Sequence, residues 1–241
     1  MSSPMSSNDV AEKARIAANP DYLANGSGAR RLDFPLWMKI GFWACLVIAV
    51  AVVVRRAIAL LAPAGKGAPP QLANLDGWFA AHAVVTWIHI LCALVFVLLL
   101  PFIFRARTQS SRALQQAFFI LGAITGISAY AMSRYAVGGW LERAAVLFFD
   151  TLFLASLARA WFFMLRGDNA RKKEIWMIRA VAVLLGIATT RPVMGFFFAT
   201  ERLSHLSPHQ FFGIAFWIGF SINTIVIEFW LRRSGLQRIH R

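Results

Sequence analysis

Six long apolar runs, joined by short connections rich in Arg and Lys, dominate the chain at about 36 to 61, 78 to 103, 114 to 136, 140 to 165, 174 to 198 and 209 to 231. Each run can cross the roughly 30 Å hydrocarbon core of a bilayer as a helix of about 20 residues. None alternates apolar with polar positions over short stretches, as the strands of a membrane barrel do. The pattern predicts an all-α, polytopic membrane helix bundle of about six transmembrane helices over residues 34–233. A Ser-, Asn- and Ala-rich flexible tail (1–33) precedes it and a basic tail (234–241) follows. The first tail has too little apolar surface to fold alone. The apolar run that begins after Asp33 is too long for a secretory signal. Arg55 and Arg56 also interrupt the approach to Ala62-Pro63-Ala64, which superficially resembles a cleavage site.

Composition sharpens this picture. The chain is 59% hydrophobic, with a mean hydropathy of +0.60, which is more apolar than a soluble domain. Its charges gather between the runs, because a charge placed in hydrocarbon costs about 2.5 to 3.5 kcal/mol. The net charge of +14 does not trace the one-faced basic footprint of a nucleic-acid-binding fold. It matches the Lys and Arg that collect in cytoplasmic loops.

Orientation follows from the same residues. Lys13, Arg15, Arg30, Arg31 and Lys39 share one side with Arg105, Arg107 and Arg112, with Arg166, Arg171, Lys172 and Lys173, and with Arg232, Arg233, Arg238 and Arg241. The opposite side holds only Arg55, Arg56, Lys66, Arg134, Arg143 and Arg202. By the positive-inside rule both termini are expected in the cytoplasm of a bacterial inner membrane. Trp37, Trp176 and Trp230 then fall at inner span ends, and Trp78 and Trp140 at outer ends, where aromatic belts belong.

Local signals place the boundaries. Ser207-Pro208-His209-Gln210 reads as a capping box with Pro at the first helical position, Asp76 as a cap for the second span, and Gly138-Gly139 as a tight turn. Gly122 and Gly126 form a GxxxG that admits a close helix neighbour. Cys45 and Cys92 lie inside apolar runs, away from any CxxC or Cys/His metal spacing, and read as small core residues. No metal site, hydrolase, kinase or P-loop motif is present.

Ionisable residues at membrane depth are candidates for function, because something must offset their desolvation. They are His82, His89, Asp150, Arg159, Arg179, Arg191 and Glu228, with Asn223 as a neutral companion. Arg179 and Glu228 lie at matching depth near the inner ends of the last two spans and can pair. Arg191 precedes Pro192; Thr189 and Thr190 can satisfy the backbone groups that proline frees, and Arg191 itself can reach the outer interface. Asp150 is near mid-span and too far from Arg159 to pair with it, which marks it for proton movement. His82 and His89, seven apart, share a face of the second span. His82 has a depth match in His209 or His205 for a b-type haem held between two spans, while His89 has none.

From about Ala80 to Arg233 the chain resembles a bacterial family of multi-span membrane proteins catalogued as domain of unknown function 2306. The resemblance is carried by several elements: His89-Ile90 opening a run that ends in Pro101-Phe102-Ile103-Phe104, Arg166-Gly167-Asp168, Trp176-Met177-Ile178-Arg179, Thr189-Thr190-Arg191-Pro192, and the late Asn223 and Glu228. It implies a fold of about six membrane helices with His89, Arg179, Arg191, Asn223 and Glu228 as its polar signature, and no established reaction. The family typically has histidines in both cytoplasmic loops, and this chain has none there.

Three functions are compatible with these features. The first is a non-catalytic membrane protein, either an accessory subunit beside other membrane subunits or a binder of a lipid or quinone-like molecule. The second is a redox protein with haem b on His82 and His209. The third is a small transporter coupled to protons through Asp150, although the inverted repeats common in such transporters are not evident.

Overall fold

The computed structural model describes residues 34–61, 77, 79–105, 112–167, 170–200 and 208–234, without the side chains of residues 105, 208 and 209. The capping residues Asp76 and Ser207, the interfacial Trp78, both distal tails and His205 lie outside the described residues. Two compact units divide the chain, Met1–Lys39 and Ile40–Arg241.

The described residues form six helices: α1 (Leu36–Leu61), α2 (Ala83–Arg105), α3 (Arg112–Ser133), α4 (Gly139–Arg166), α5 (Ala170–Ala199) and α6 (Pro208–Arg233). All six are long and apolar enough to cross a membrane, and no strand occurs among the described residues. Helix is the only open-ended solution in lipid, because every backbone N–H and C=O is then satisfied within its own segment. Large apolar side chains such as Ile88, Phe102, Ile127 and Ile225 point outward, as lipid solvation permits.

The ends follow local chemistry. Gly167 takes φ +67° at the end of α4 and returns its N–H to the Phe163 carbonyl at 3.2 Å, a left-handed cap that suits glycine. Gly139, also with positive φ, turns the chain from α3 into α4, and the Gly138 N–H donates to the Glu142 carboxylate. Pro208 is the first residue of α6, the position where its missing N–H costs nothing. The start of α2 differs from the expectation. The apolar run continues through Phe79-Ala80-Ala81, yet the backbone turns at residues 81–82 before α2 begins at Ala83. The Thr86 hydroxyl bridges the break, donating to the carbonyls of His82, at 3.0 Å, and Phe79, at 3.4 Å. His82 therefore precedes the helix instead of sharing a helical face with His89.

Aromatic rings fill the centre. Phe96 stacks on Phe118 at 4.7 Å between ring centres and meets Phe153 edge-on at 6.1 Å, joining α2, α3 and α4. Phe149 stacks on Phe220 at 5.2 Å and joins α4 to α6. Such pairs add about 0.5 to 1.5 kcal/mol beyond the area they bury. The GxxxG of α3 acts as expected: a methyl group at Gly126 would lie 2.5 Å from Leu154 of α4, and one at Gly122 would lie 2.9 Å from Leu157 and Phe96.

A cavity between the helices and a polar seam

Two separate polar groupings emerge. The first is a seam between α5 and α6. Arg179 of α5 donates through Nε to Glu228 Oε2 of α6 and through a terminal nitrogen to Oε1, both at 3.0 Å. Arg232, one turn beyond Glu228, approaches the same carboxylate at 3.5 Å. Trp176 extends the group, with Arg179 over its ring at 4.5 Å and Arg159 of α4 at 5.0 Å. Further along, the Thr189 hydroxyl donates to Asn223 Oδ1 at 2.8 Å, and Asn223 Nδ2 donates to the Ala182 carbonyl at 3.3 Å. Cys45 Sγ of α1 lies 3.7 Å from the Thr189 hydroxyl, and both cysteines are free thiols. The seam is tight because Gly186 faces Phe220 and Gly219 faces the Thr190 backbone with no room for another carbon.

This arrangement corrects one expectation. Thr189 is turned across the helix interface toward Asn223, and Thr190 donates to the Gly186 and Ile187 carbonyls. Neither bond reaches the Ala188 carbonyl, the i−4 acceptor that Pro192 leaves without its N–H. A bond to a neighbouring helix and ordinary back-bonding to the preceding turn have taken both hydroxyls.

The second grouping surrounds a cavity of about 260 Å³. All six helices line it, mostly with apolar residues such as Val53, Leu94, Val146, Leu184 and Phe216. His89, Thr125, Ser133, Glu142, Asp150 and Arg191 supply polar edges, with Arg56 and Tyr135. His89 Nδ1 lies 3.0 Å from the Ser128 hydroxyl. Ser128 already gives its only proton to the Ile124 and Thr125 carbonyls, at 2.7 and 2.9 Å, so it accepts from His89. Assigned from this hydrogen-bond pattern, the neutral imidazole has its proton on Nδ1 and a lone pair on Nε2.

Asp150 and Arg191 are exceptions to the rule that buried polar atoms are paired. Among the described residues, Asp150 Oδ2 and Arg191 Nε are buried without a hydrogen-bond partner. A terminal nitrogen of Arg191 donates to the Met194 sulfur at 3.7 Å, and sulfur is a weak acceptor. Arg191 thus turns into the bundle instead of reaching the interface. Its aliphatic stem is long enough to reach the interface, but from this face of α5 it points at the cavity beside Leu184 and Ile187.

The sequence-derived residues therefore separate. Arg179, Asn223 and Glu228 belong to the seam, whereas His89, Asp150 and Arg191 meet the cavity. His82 stacks on Tyr135 at 3.6 Å between ring centres. The side chain of His209, its proposed haem partner, lies outside the described residues. Sequence reasoning did not single out Glu142, Ser128 or Thr125. Glu142 had a visible signal, as the acidic residue in the first turn of α4 at the same bundle end as Arg191. The hydroxyls had none, because Ser and Thr are ordinary in membrane helices.

Neither a curated protein nor a solved structure matches the chain. The family described as "Predicted membrane protein (DUF2306)" matches residues 86–231, a stretch that covers α3 to α5 whole and most of α2 and α6, with His89, Asp150, Arg179, Arg191, Asn223 and Glu228 inside it. The chain belongs to this DUF2306 family of membrane proteins.

Proposed function

We propose that this protein binds a small amphipathic molecule, a lipid or quinone-like compound, in the cavity between its helices. The observation that carries the reading is the presence, on one cavity, of two buried polar atoms without partners, Asp150 Oδ2 and Arg191 Nε. Leaving such a group unsatisfied costs about 1 to 3 kcal/mol, and more when it is charged. A ligand headgroup that bonds to both removes the cost, and the apolar walls suit the rest of such a molecule. Lys and Arg placement supports a bacterial inner membrane with both termini in the cytoplasm, which puts the cavity toward the outer leaflet.

The test is extraction of the full-length protein, purified in mild detergent from a native membrane, followed by mass spectrometry of the organic phase. One lipid-soluble species enriched over bulk membrane lipid, and depleted in Arg191→Gln but not in Glu228→Gln, is the expected result. An extract matching bulk lipid in both variants and wild type would refute the reading. A co-purifying polypeptide in place of a small molecule would mark an accessory subunit instead.

A further inference from the structure

The cavity has a hydrogen-bonding polarity as well as a shape. Three aliphatic hydroxyls line it, and each has spent its proton on a carbonyl of its own segment: Thr86 on His82 at 3.0 Å, Thr125 on Leu121 at 2.8 Å and Ser133 on Tyr130 at 2.7 Å. A hydroxyl has one proton and two lone pairs. Each therefore has only lone pairs left for a guest. His89 Nε2, by the tautomer fixed at Ser128, offers a lone pair as well. Thr86, His89, Thr125 and Ser133, on α2 and α3, thus turn lone pairs toward a guest, while the other donors on the lining, Arg56 of α1 and Tyr135 in the turn after α3, already have interactions within the protein. The unpartnered donor, Arg191 Nε, stands on α5.

A guest that fits must donate toward α2 and α3 and accept toward α5. A quinone has carbonyl and ether oxygens only, so it satisfies Arg191 but sets lone pairs against lone pairs on the other wall. Its quinol donates through O–H on one side and accepts through oxygen on the other. The volume of about 260 Å³ lies near the lower end of small-molecule sites, which suits one ring, with an alkyl tail leaving between helices. Resting on the ligand reading above, we infer that the cavity prefers the hydroxyl-bearing quinol form of a ring headgroup over the corresponding quinone.

The probes are a decyl-substituted dimethoxybenzoquinol, its quinone, and a monoacylglycerol, which bears hydroxyls without a ring. Each is titrated anaerobically into the full-length protein in detergent. The expected result is at least tenfold tighter binding of the quinol than of the quinone. The same factor raises the potential of the bound two-electron couple by about 30 mV, which a redox titration reads independently. Thr125→Val, nearly isosteric, and His89→Phe each remove one acceptor and lower the ratio at least threefold. Arg191→Gln weakens both forms alike. Thermal unfolding of each variant establishes that it is folded, and Thr125→Val carries the test where His89→Phe is not.

Equal affinities, or tighter binding of the quinone, overturn the quinol preference; if both are lost together in Arg191→Gln, the cavity remains the binding site. Monoacylglycerol binding as tightly as the quinol overturns the requirement for a ring. No binding of any probe, together with an extract that matches bulk lipid, overturns the ligand reading itself.

Discussion

Replacing Gly219 by alanine would place a methyl carbon 2.6 Å from the Thr190 amide nitrogen and 2.7 Å from its Cα. These atoms are backbone of α5, so no rotamer change relieves the overlap, and α6 must move away along the whole crossing. The same seam holds Arg179–Glu228 at 3.0 Å and Thr189–Asn223 at 2.8 Å, and both lengthen when the helices separate. Overpacking of this kind costs about 1 to 3 kcal/mol, with strain on the two hydrogen-bonded contacts pushing toward the upper figure. Two other glycines calibrate the effect. At Gly122 the added carbon meets side-chain atoms of Leu157 and Phe96, at 2.9 Å, and no backbone, so side-chain shifts alone can absorb it and Gly122→Ala costs about 1 kcal/mol, the lower end of the overpacking range. At Gly195 it meets nothing within 4 Å, and alanine is neutral or gains up to about 1 kcal/mol of helix propensity. Equilibrium unfolding in mixed detergent micelles, followed by circular dichroism, gives the order. The expected ranking from most to least stable is Gly195→Ala, Gly122→Ala, Gly219→Ala. A Gly219→Ala protein within about 0.3 kcal/mol of wild type, small against the overpacking cost, would show that the seam is not close-packed as described.

Three further outcomes follow from the polar groupings. Glu228→Gln loses about 1 kcal/mol by the same assay, a discounted figure because the Arg179 and Glu228 side chains are 19% and 31% exposed; a double-mutant cycle with Arg179→Gln that gives zero coupling would remove the pair as a source of stability. Thr189→Val loses about 1 kcal/mol with its bond to Asn223, and an unchanged unfolding midpoint would count against that bond. Arg191→Met, measured on delipidated protein, raises stability by about 1 kcal/mol or more, because it removes a buried cation whose Nε has no partner; a destabilised variant would show that Arg191 is already satisfied without a ligand.

The helices could be read along the chain because solvation by lipid demands about 20 apolar residues in succession, and α1, α4 and α6 begin within a residue of the apolar runs that predict them. The start of α2 could not, since Phe79-Ala80-Ala81 is as apolar as the helix after it, and the turn there is bridged by Thr86 hydroxyl bonds that hydropathy does not register. Depth along a helix can be computed from the rise of about 1.5 Å per residue, so counting from the start of α5 and the end of α6 placed Arg179 at the level of Glu228. Azimuth around the axis cannot be obtained that way when a helix is apolar on every side. That is why Arg191 read equally well as an interfacial residue, and why Ser128 was not linked to His89.

The two polar groupings answer different energetic demands, although their residues alternate along the same helix. In the seam each donor meets an acceptor: Thr189 bonds to Asn223, and Arg179 to both oxygens of Glu228. That arrangement is complete in the protein alone, and its role is to hold α5 against α6. Two residues past Thr189, on a different face of α5, Arg191 enters the cavity with Nε unpaired, and Asp150 leaves an oxygen unpaired on the facing helix α4. A bundle selected for packing alone gains by filling such a space with leucine or methionine, since replacing a buried charge by a well-packed apolar side chain is often neutral or stabilising. Keeping His89, Asp150 and Arg191 around an open volume therefore sacrifices stability, and on the ligand reading proposed above a bound headgroup that completes their hydrogen bonds restores it. The seam supplies the rigidity that this requires: with α5 and α6 locked together, Arg191 keeps a fixed position from which to meet a guest, and little order has to be gained on binding.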